Sequence, residues 1–192
     1  MNTTQPIRSK KQVSALSRYF LLRGEHRNRV LVVMGVHTAL RIGDLLRLRW
    51  RDVYDFDLRR VRKEICVTEK KTKKRQIVAL NRDIAGALAL YAAQKEIRPD
   101  GALFESRRTG EAISRIQAYR VIRAAADALK MQPRVSCHSL RKTFGYHAWK
   151  DGVSPVVLMD IFNHSSFDVT RRYLGVTQDD KNDAYLKLSF SG

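Results

Sequence analysis

The stretch CHSLRKTFGYHAWKDGVSPVVLMDIFNHSSFDVTRRY, residues 137–173, says most about the fold of this chain. Its clearest signal is Ser154-Pro155, because a serine N-cap followed by proline at the first helical position begins many helices. Gly152 stops the helical pattern that precedes it. The stretch predicts one helix over 138–151, a second over 155–162, a turn over 163–166 and a third helical piece over 168–173. This part of the chain is therefore expected to be helical.

The rest of the sequence predicts further helices and one β-hairpin. Capping residues such as Ser9, and either Asn81 or Asp83, precede apolar residues at helical spacing. These patterns predict helices over about 10–23, 26–36, 40–50, 83–98, 114–130 and 178–188. The β-forming residues of 65–67 and 77–78 flank a lysine-rich turn over 70–74 and predict the hairpin. The expected fold class is α+β, mainly α, with a small antiparallel sheet. Residues 1–9 are expected to be a flexible N-terminus and residues 10–192 a single domain.

Composition narrows the class of partner. The chain has 192 residues, with 37 Lys and Arg against 19 Asp and Glu, for a formal net charge of +18 at pH 7. Such a field attracts polyanions, and it favours nucleic acid over an anionic membrane. The sequence has neither an apolar run near the roughly 20 residues of a membrane helix nor a secretory signal. Two cysteines, Cys66 and Cys137, argue against a disulfide framework and a metal site, and they suit the cytoplasm.

The basic charge is concentrated over residues 58–75, which hold nine lysines and arginines against two glutamates. A basic hairpin can follow the phosphates of DNA, and each phosphate contact releases counterions. The alternative is a solvated hairpin whose lysines have no partner. The candidate DNA-binding residues here are Arg59, Arg60, Arg62, Lys63, Lys70, Lys73, Lys74 and Arg75.

Two arginines lie at positions where their side chains can bind an anion. His138 and Arg141 are three residues apart on a predicted helix, so their side chains share one face. Arg41 lies among apolar residues, where an arginine is expected to be held by a carboxylate such as Asp44. Arginine presents a planar fork that binds phosphate oxygens in pairs. The alternatives are a plain helix surface for His138 and Arg141 and a structural ion pair for Arg41.

The ordered set of these features resembles the tyrosine recombinase (phage integrase) family. In chain order the sequence has an Arg-x-x-Asp, a lysine-bearing hairpin, a His-x-x-Arg, a histidine in Asn-His-Ser-Ser and a tyrosine nine residues later. The resemblance extends over about residues 10–188 and covers the family's catalytic domain. Carried over by position, it assigns catalytic roles to Arg41, Lys71, His138, Arg141, His164 and Tyr173.

The resemblance also implies a reaction, in which Tyr173 attacks a DNA phosphate to give a 3′-phosphotyrosine and a free 5′-hydroxyl. The cationic side chains of Arg41 and Arg141, with His164, would oppose the charge on the phosphate oxygens. Lys71 is the expected general acid and His138 the expected acceptor of the tyrosyl proton. Because one phosphodiester replaces another, the reaction needs no cofactor, ATP or metal.

The sequence departs from the family pattern in several places. Asn163 stands where the family usually has glycine, and Lys142, taken here as a DNA contact, stands where histidine is common. Lys70, Lys73 and Lys74 are rivals of Lys71 for the role of general acid. The N-terminal core-binding domain of typical members is not expected in this sequence. The chain is then either a natural single-domain member of the family or a fragment of a larger integrase.

Several functional alternatives stay open at this point. The chain is expected to be a recombinase of the integrase or invertase type, from a bacterium, a phage or another mobile element, that acts on double-stranded DNA. The alternative is a catalytically idle DNA-binding regulator with the same fold. Residues 178–188 would pack either into a neighbouring protomer of a dimer or tetramer, or onto their own domain. Accessory DNA-bending proteins are possible further partners, and no membrane partner is expected.

Overall fold

The computed structural model of the chain describes residues 4–176 and 178–187. The helices are α1 (Lys10–Leu22), α2 (His26–His37), α3 (Ile42–Leu45), α4 (Trp50–Val53), α5 (Arg82–Ala92), α6 (Arg115–Ala128), α7 (Cys137–Lys150), α8 (Pro155–Phe162), α9 (Phe167–Leu174) and α10 (Gln178–Lys187). The strands are β1 (Tyr54–Asp55), β2 (Arg60–Val61), β3 (Glu64–Thr68) and β4 (Arg75–Ala79). Both strand pairs, β1 with β2 and β3 with β4, are antiparallel. The predicted α+β, mainly α class is therefore confirmed.

The helix starts follow the predicted caps. The side chain of Ser9 accepts a hydrogen bond from the backbone N–H of Gln12. The side chain of Ser154 accepts one from the backbone N–H of Val156. Asn81, rather than Asp83, caps α5 by accepting from Ile84 N–H. Each cap satisfies a backbone donor that the first helical turn leaves without a partner.

Among the described helices, none combines the length and the apolar character that crossing a membrane requires.

The predicted helix over 40–50 is wrong. The segment instead forms the two short helices α3 and α4, with an extended piece between them. That piece pairs with a distant part of the chain: Leu103 N–H donates to the carbonyl of Leu48, and Trp50 N–H donates to the carbonyl of Gly101. These long-range bonds compete with helix formation, and local sequence does not reveal them. The β1–β2 ribbon was also not predicted.

The N-terminal segment lies against α7. Its residue Ile7 is only 3% exposed and belongs to the main apolar core. Ile7 N–H donates to Thr143 Oγ1 at 2.9 Å, and the Ile7 carbonyl lies 3.0 Å from His147 Nε2. The described residues 4–9 therefore contact the rest of the domain through one buried apolar side chain and two hydrogen bonds to α7.

The core is centred on α2, whose residues 30–34 are all buried. Helices α1, α5 and α7 pack against it. Gly35 lets α7 approach closely, since a Cβ at this position would lie 2.7 Å from Cδ1 of Leu140. This approach sets Arg141 beside the segment that follows α2, where Ala39 has a left-handed backbone with φ 56°. The packing of α2 on α7 thereby brings the two halves of the site together.

Candidate active site

A cleft of about 1210 Å³ contains several of the predicted catalytic side chains. We call it the central cleft. It is lined by Arg41 and the start of α3, by the turn of the β3–β4 hairpin, and by residues at the starts of α6 and α7. Predicted site residues on its walls are Arg41, Lys70, Lys71, His138 and Arg141. The structure therefore brings together residues that are up to 100 positions apart in the sequence.

Arg141 is the most enclosed cation of the site, with 2% of its side chain exposed. It donates one hydrogen bond to the carbonyl of Ala39 and a second, of 2.8 Å, to the carbonyl of Phe162. Arg41 Nη2 lies 3.5 Å from the same Phe162 oxygen. One carbonyl group therefore contacts both guanidinium groups and holds them side by side.

The carboxylate beside Arg41 belongs to Glu69, so the expected pairing with Asp44 is wrong. Glu69 Oε2 lies 2.6 Å from Arg41 Nη1. Asp44 instead accepts hydrogen bonds from Arg47 at 2.8 Å and from the backbone N–H of Lys70 at 3.0 Å. Asp44 thus anchors the hairpin turn to α3. Sequence reasoning missed Glu69.

A signal for Glu69 was present in the alternation of β3. Ile65 and Val67 face the core with 2% and 5% exposure, and Glu69 follows at the same period of two with no exposed side-chain area. Residues two apart along a strand point to the same face. A glutamate on the buried face requires a cationic partner.

The pKa of Arg141 is lowered to about 10, first by burial and then by the neighbouring charge of Arg41. Interactions with Tyr173 and Glu69 oppose this shift. Arg141 therefore stays protonated at neutral pH. Its Nε atom is buried without a hydrogen-bond partner among the described residues.

The side chain of Tyr173 lies in an aromatic cluster. Its ring centroid is 4.7 Å from that of His164, 4.9 Å from Phe162 and 5.2 Å from His138. The ring also lies 5.9 Å from Cζ of Arg141. Helices α7 and α9 and the end of α8 supply these groups, so the predicted nucleophile is half-buried among three other predicted catalytic residues.

His164 is oriented by the turn that ends α8. Asn163 adopts a left-handed backbone with φ 51° and ψ 44°, which asparagine tolerates better than most residues. His164 then stacks on Phe162, and its Nδ1 lies 3.0 Å from the hydroxyl of buried Thr170. Among the described residues, Nδ1 is thus the ring nitrogen that has a hydrogen-bond partner.

The pKa values of both site histidines are lowered to about 4. For His138 the largest cause is loss of water around the ring, followed by the charges of Lys142, Arg141 and Arg41. For His164 the order is again burial and then Arg141 and Arg41. A cationic surrounding disfavours a further positive charge. Both imidazoles are therefore neutral at pH 7.

Lys142 does not belong to the exposed basic surface. Its side chain is buried, with 8% exposure, and Nζ donates a hydrogen bond of 2.6 Å to the carbonyl of Thr4. The role expected for Lys142 in DNA contact is therefore at odds with its position. Nζ also lies 5.7 Å from the ring of Tyr173, so its charge contributes to the site from within.

The other predicted DNA-binding residues are exposed and lie on two surfaces. Lys73, Lys74 and Arg75 extend from the β3–β4 hairpin beyond the central cleft, whereas Lys70 and Lys71 line the cleft itself. Arg59, Arg60, Arg62 and Lys63 are exposed around the β1–β2 ribbon. The basic stretch that the sequence shows as one run is therefore divided between two structural elements.

Sequence reasoning also missed part of the lining of the cleft. Arg115, Tyr119 and Arg134 lie there, and Arg134 Nη2 donates to Tyr119 Oη at 2.9 Å. The side chain of Arg115 crosses Gly43, a position where any Cβ would collide with the guanidinium. Arg115 and Tyr119 are four residues apart on α6, so their common face was the available signal.

The sequence of this chain is similar to those of known integrases and recombinases. Residues 9–180 match the sequence profile of the phage integrase family. The probable integrase/recombinase YoeC of Bacillus subtilis (strain 168) is 37% identical over 185 residues, which cover 96% of this chain and 97% of YoeC. The chain spans only about half the length of several curated tyrosine recombinases that it also matches.

Solved structures show the same fold. The crystal structure of XerA recombinase superposes with a TM-score of 0.79 at 22% identity, covering 98% of this chain and 68% of that one. A lambda integrase dimer bound to a COC′ core site gives a TM-score of 0.69 at 16% identity, covering 100% of this chain and 53% of that one. Together, the profile that spans most of the sequence and the near full-length similarity to YoeC establish that this chain belongs to the phage integrase family.

Proposed function

We propose that the chain is a site-specific DNA recombinase that cuts and rejoins strands through a covalent 3′-phosphotyrosyl intermediate. The observation that carries this proposal is the position of Tyr173, whose ring contacts both site histidines next to the buried guanidinium of Arg141. A nucleophile, a proton acceptor and cationic donors within one site are the parts that phosphoryl transfer to tyrosine requires.

In the proposed reaction, the Tyr173 hydroxyl attacks the scissile phosphorus. A bond forms between Tyr173 Oη and phosphorus, and the bond from phosphorus to the 5′-oxygen breaks. The phenolic proton passes to neutral His138. A bound phosphate opposes the cations that hold the pKa of His138 low, so substrate binding itself makes this imidazole a better base. Lys71 donates a proton to the departing 5′-oxygen, and the 5′-hydroxyl of another strand later reverses the sequence.

Arg41, Arg141 and His164 would stabilise the charge that develops on the phosphate oxygens. Loss of one such donor commonly costs on the order of 10²–10³ in rate. The buried position of Arg141, which donates to two backbone carbonyls, fixes its guanidinium in advance of substrate binding. Such pre-organisation supports a catalytic role, whereas an idle DNA-binding regulator needs only exposed cations.

The same proposal covers DNA binding. The central cleft is lined by Lys70, Lys71, Arg115 and Arg134. A cleft that is lined by cations suits a polyanion that lies within it. The exposed residues of the two basic surfaces would then contact the flanking backbone.

We also propose that the chain assembles on DNA through α10. Tyr185 and Leu186 are 79% and 83% exposed on this helix, which favours packing on a neighbouring protomer over packing on their own domain. Leu188 lies outside the described residues. The solved lambda integrase similar to this chain is a DNA-bound dimer, which supports the proposal.

Action on chromosomal or mobile-element DNA supports a cytoplasmic location for the protein. Accessory DNA-bending proteins are further candidate partners there.

Covalent capture tests the proposed function. Lightly nicked duplexes with a randomised core are incubated with the chain, and DNA that stays attached after boiling in detergent is released with protease and sequenced. The proposal predicts that wild-type protein enriches one site and that Tyr173→Phe binds this site but captures no DNA. If wild-type protein binds DNA and never becomes attached, the regulator takes the place of the enzyme.

A further inference from the structure

We infer that Glu69 is a positioning residue that aligns the two arginines and joins them to the lysine-bearing hairpin. The inference rests on the proposed function, because it concerns how the same site becomes active. Glu69 occupies the junction between strand β3 and the hairpin turn, with no exposed side-chain area. Its side chain contacts three groups, each on a different segment of the site.

One side of the Glu69 carboxylate faces the arginines. Oε2 lies 2.6 Å from Arg41 Nη1, and Oε1 lies 3.9 Å from Arg141 Nη1. The carbonyl of Phe162 contacts the same two guanidinium groups, at 3.5 Å and 2.8 Å. Arg41 therefore lies between the Glu69 carboxylate and the Phe162 carbonyl, and Arg141, which donates to that carbonyl, lies within ion-pair distance of the same carboxylate. A planar guanidinium that is held at two points cannot rotate freely.

The other contact of Glu69 reaches the hairpin. Oε2 accepts a hydrogen bond of 2.6 Å from the hydroxyl of Thr72. The backbone closes the same turn, since Lys73 N–H donates to the carbonyl of Glu69 at 2.9 Å. Lys70 and Lys71 lie between Glu69 and Thr72 in sequence. A single carboxylate oxygen therefore joins Arg41 to the loop that carries the candidate general acid.

The negative charge of Glu69 distinguishes a role in positioning the arginines from a role in binding DNA. Glu69 is an anion close to the place where the scissile phosphate would bind, and an anion at that place weakens phosphate binding. Its benefit must therefore lie in the geometry of Arg41, Arg141 and the hairpin. Removal of the charge alone would leave DNA affinity intact or improved and would slow the chemical step. A residue needed only for folding would instead reduce both.

The first variant is Glu69→Gln, which preserves shape and removes the charge. The matched control is Glu64→Gln, which makes the same charge change at an exposed position of the same hairpin. Both are compared with wild-type protein on a duplex enriched by covalent capture. We expect Glu69→Gln to bind with a dissociation constant equal to or below that of wild type. Its single-turnover cleavage rate at saturating protein should fall about 10–100-fold, as expected for displaced catalytic groups.

The second variant is Thr72→Val, with exposed Thr68→Val as its control. Loss of the Thr72 hydroxyl removes the side-chain link between Glu69 and the turn, and it leaves the contact between Glu69 and Arg41 in place. We expect slower cleavage of a normal phosphodiester. A duplex with a 5′-phosphorothiolate leaving group, which needs no general acid, should restore the rate of Thr72→Val. The same duplex should restore Glu69→Gln only in part, because its arginines remain displaced.

The outcomes are distinguishable. If Glu69→Gln cleaves as fast as wild type, or if its affinity falls in proportion to its rate, the positioning role is overturned while the proposed recombinase stands. Full rescue of Glu69→Gln by the phosphorothiolate would overturn its effect on the arginines. If wild-type protein gives no covalent product at all, the proposed function fails, and the inference fails with it.

Discussion

The ring of His138 lies edge-to-face on the ring of Tyr173, with the centroids 5.2 Å apart and the planes at 79°. His138 belongs to the first turn of α7, and Tyr173 is the seventh residue of α9. The distance between the proposed proton acceptor and the proposed nucleophile therefore depends on how closely these two helices pack. Gly145 on α7 sets that distance, because it faces Phe162 and Tyr173.

Gly145→Ala should disturb the site without replacing any of the proposed catalytic side chains. A Cβ at this position would lie 2.8 Å from Cζ of Phe162 and 3.6 Å from Cβ of Tyr173. Because Phe162 is fully buried, the added methyl must displace it, at a cost of about 1–3 kcal/mol. We expect slower covalent capture with DNA affinity retained. Capture gels and fluorescence anisotropy with the same duplex measure the two quantities.

Gly86→Ala is the control for this change. No atom lies within 4 Å of a Cβ at this helical position, so the substitution should leave capture unchanged and raise the free energy of unfolding by about 0.5–1 kcal/mol. Equal capture rates for Gly145→Ala and wild type would show that the packing of α7 on α9 does not set the geometry of the nucleophile.

Lys71 should act as the general acid. Lys71→Ala is expected to lower cleavage by about 10²–10⁴-fold, the usual contribution of a positioned acid. A 5′-phosphorothiolate should restore the rate because its leaving group needs no proton. Lys73→Ala, on the same turn but away from the wall of the cleft, serves as the control. Lys70 also lines the cleft, so rescue of Lys70→Ala in place of Lys71→Ala would transfer the role.

The two site histidines predict how stability depends on pH. Their pKa values are about 4 in the folded chain and near 6.5 in an unfolded one. Between these values the unfolded chain binds more protons, so the free energy of unfolding falls as pH decreases from about 6.5 to 4. Above about 6.5 the two histidines have no such effect.

Urea unfolding at several pH values measures this dependence. His138→Gln and His164→Gln should each lose part of the decrease in stability between pH 6.5 and 4. The measurement is made without DNA, because a bound phosphate would change the charges around His138. If the decrease in stability between pH 6.5 and 4 were the same in both variants as in wild type, the lowered pKa values would be contradicted.

The N-terminal segment should contribute to stability. Ile7→Ala removes a core side chain that is 3% exposed, and such changes cost about 2–5 kcal/mol. Leu22→Ala is the comparison, since Leu22 is 74% exposed and its loss should change the free energy of unfolding by less than about 0.5 kcal/mol. Chemical denaturation of both variants measures the difference. Similar stabilities would show that residues 4–9 are not fastened to α7.

The helices and the hairpin could be predicted because their signals are local. Ser9 and Ser154 cap helices through residues at most three positions away, and the apolar alternation of β3 needs no information from the rest of the chain. The separation of α3 from α4 could not be predicted, since it results from hydrogen bonds to residues 101–103. Propensity within a short window contains no term for such a partner.

The same contrast between local signals and long-range contacts applies to the candidate site. Ordered motifs identified residues such as Arg41, Arg141 and Tyr173, but not their partners. Asp44 was the carboxylate nearest to Arg41 in sequence, whereas Glu69 is its partner in space. Lys142 looked like an exposed cation because its burial depends on the N-terminal segment, whose Thr4 carbonyl accepts its hydrogen bond. Long-range packing decides such pairings, so sequence spacing does not reveal them.

The central claim concerns one bond, between a DNA 3′-phosphate and the hydroxyl of Tyr173. The most direct test is tandem mass spectrometry of the captured complex after digestion with nuclease and trypsin. The account predicts a nucleotide attached through a phosphodiester to the peptide that contains Tyr173, and to none of the other six tyrosines of the sequence. A nucleotide on another residue, such as exposed Tyr185, would contradict it.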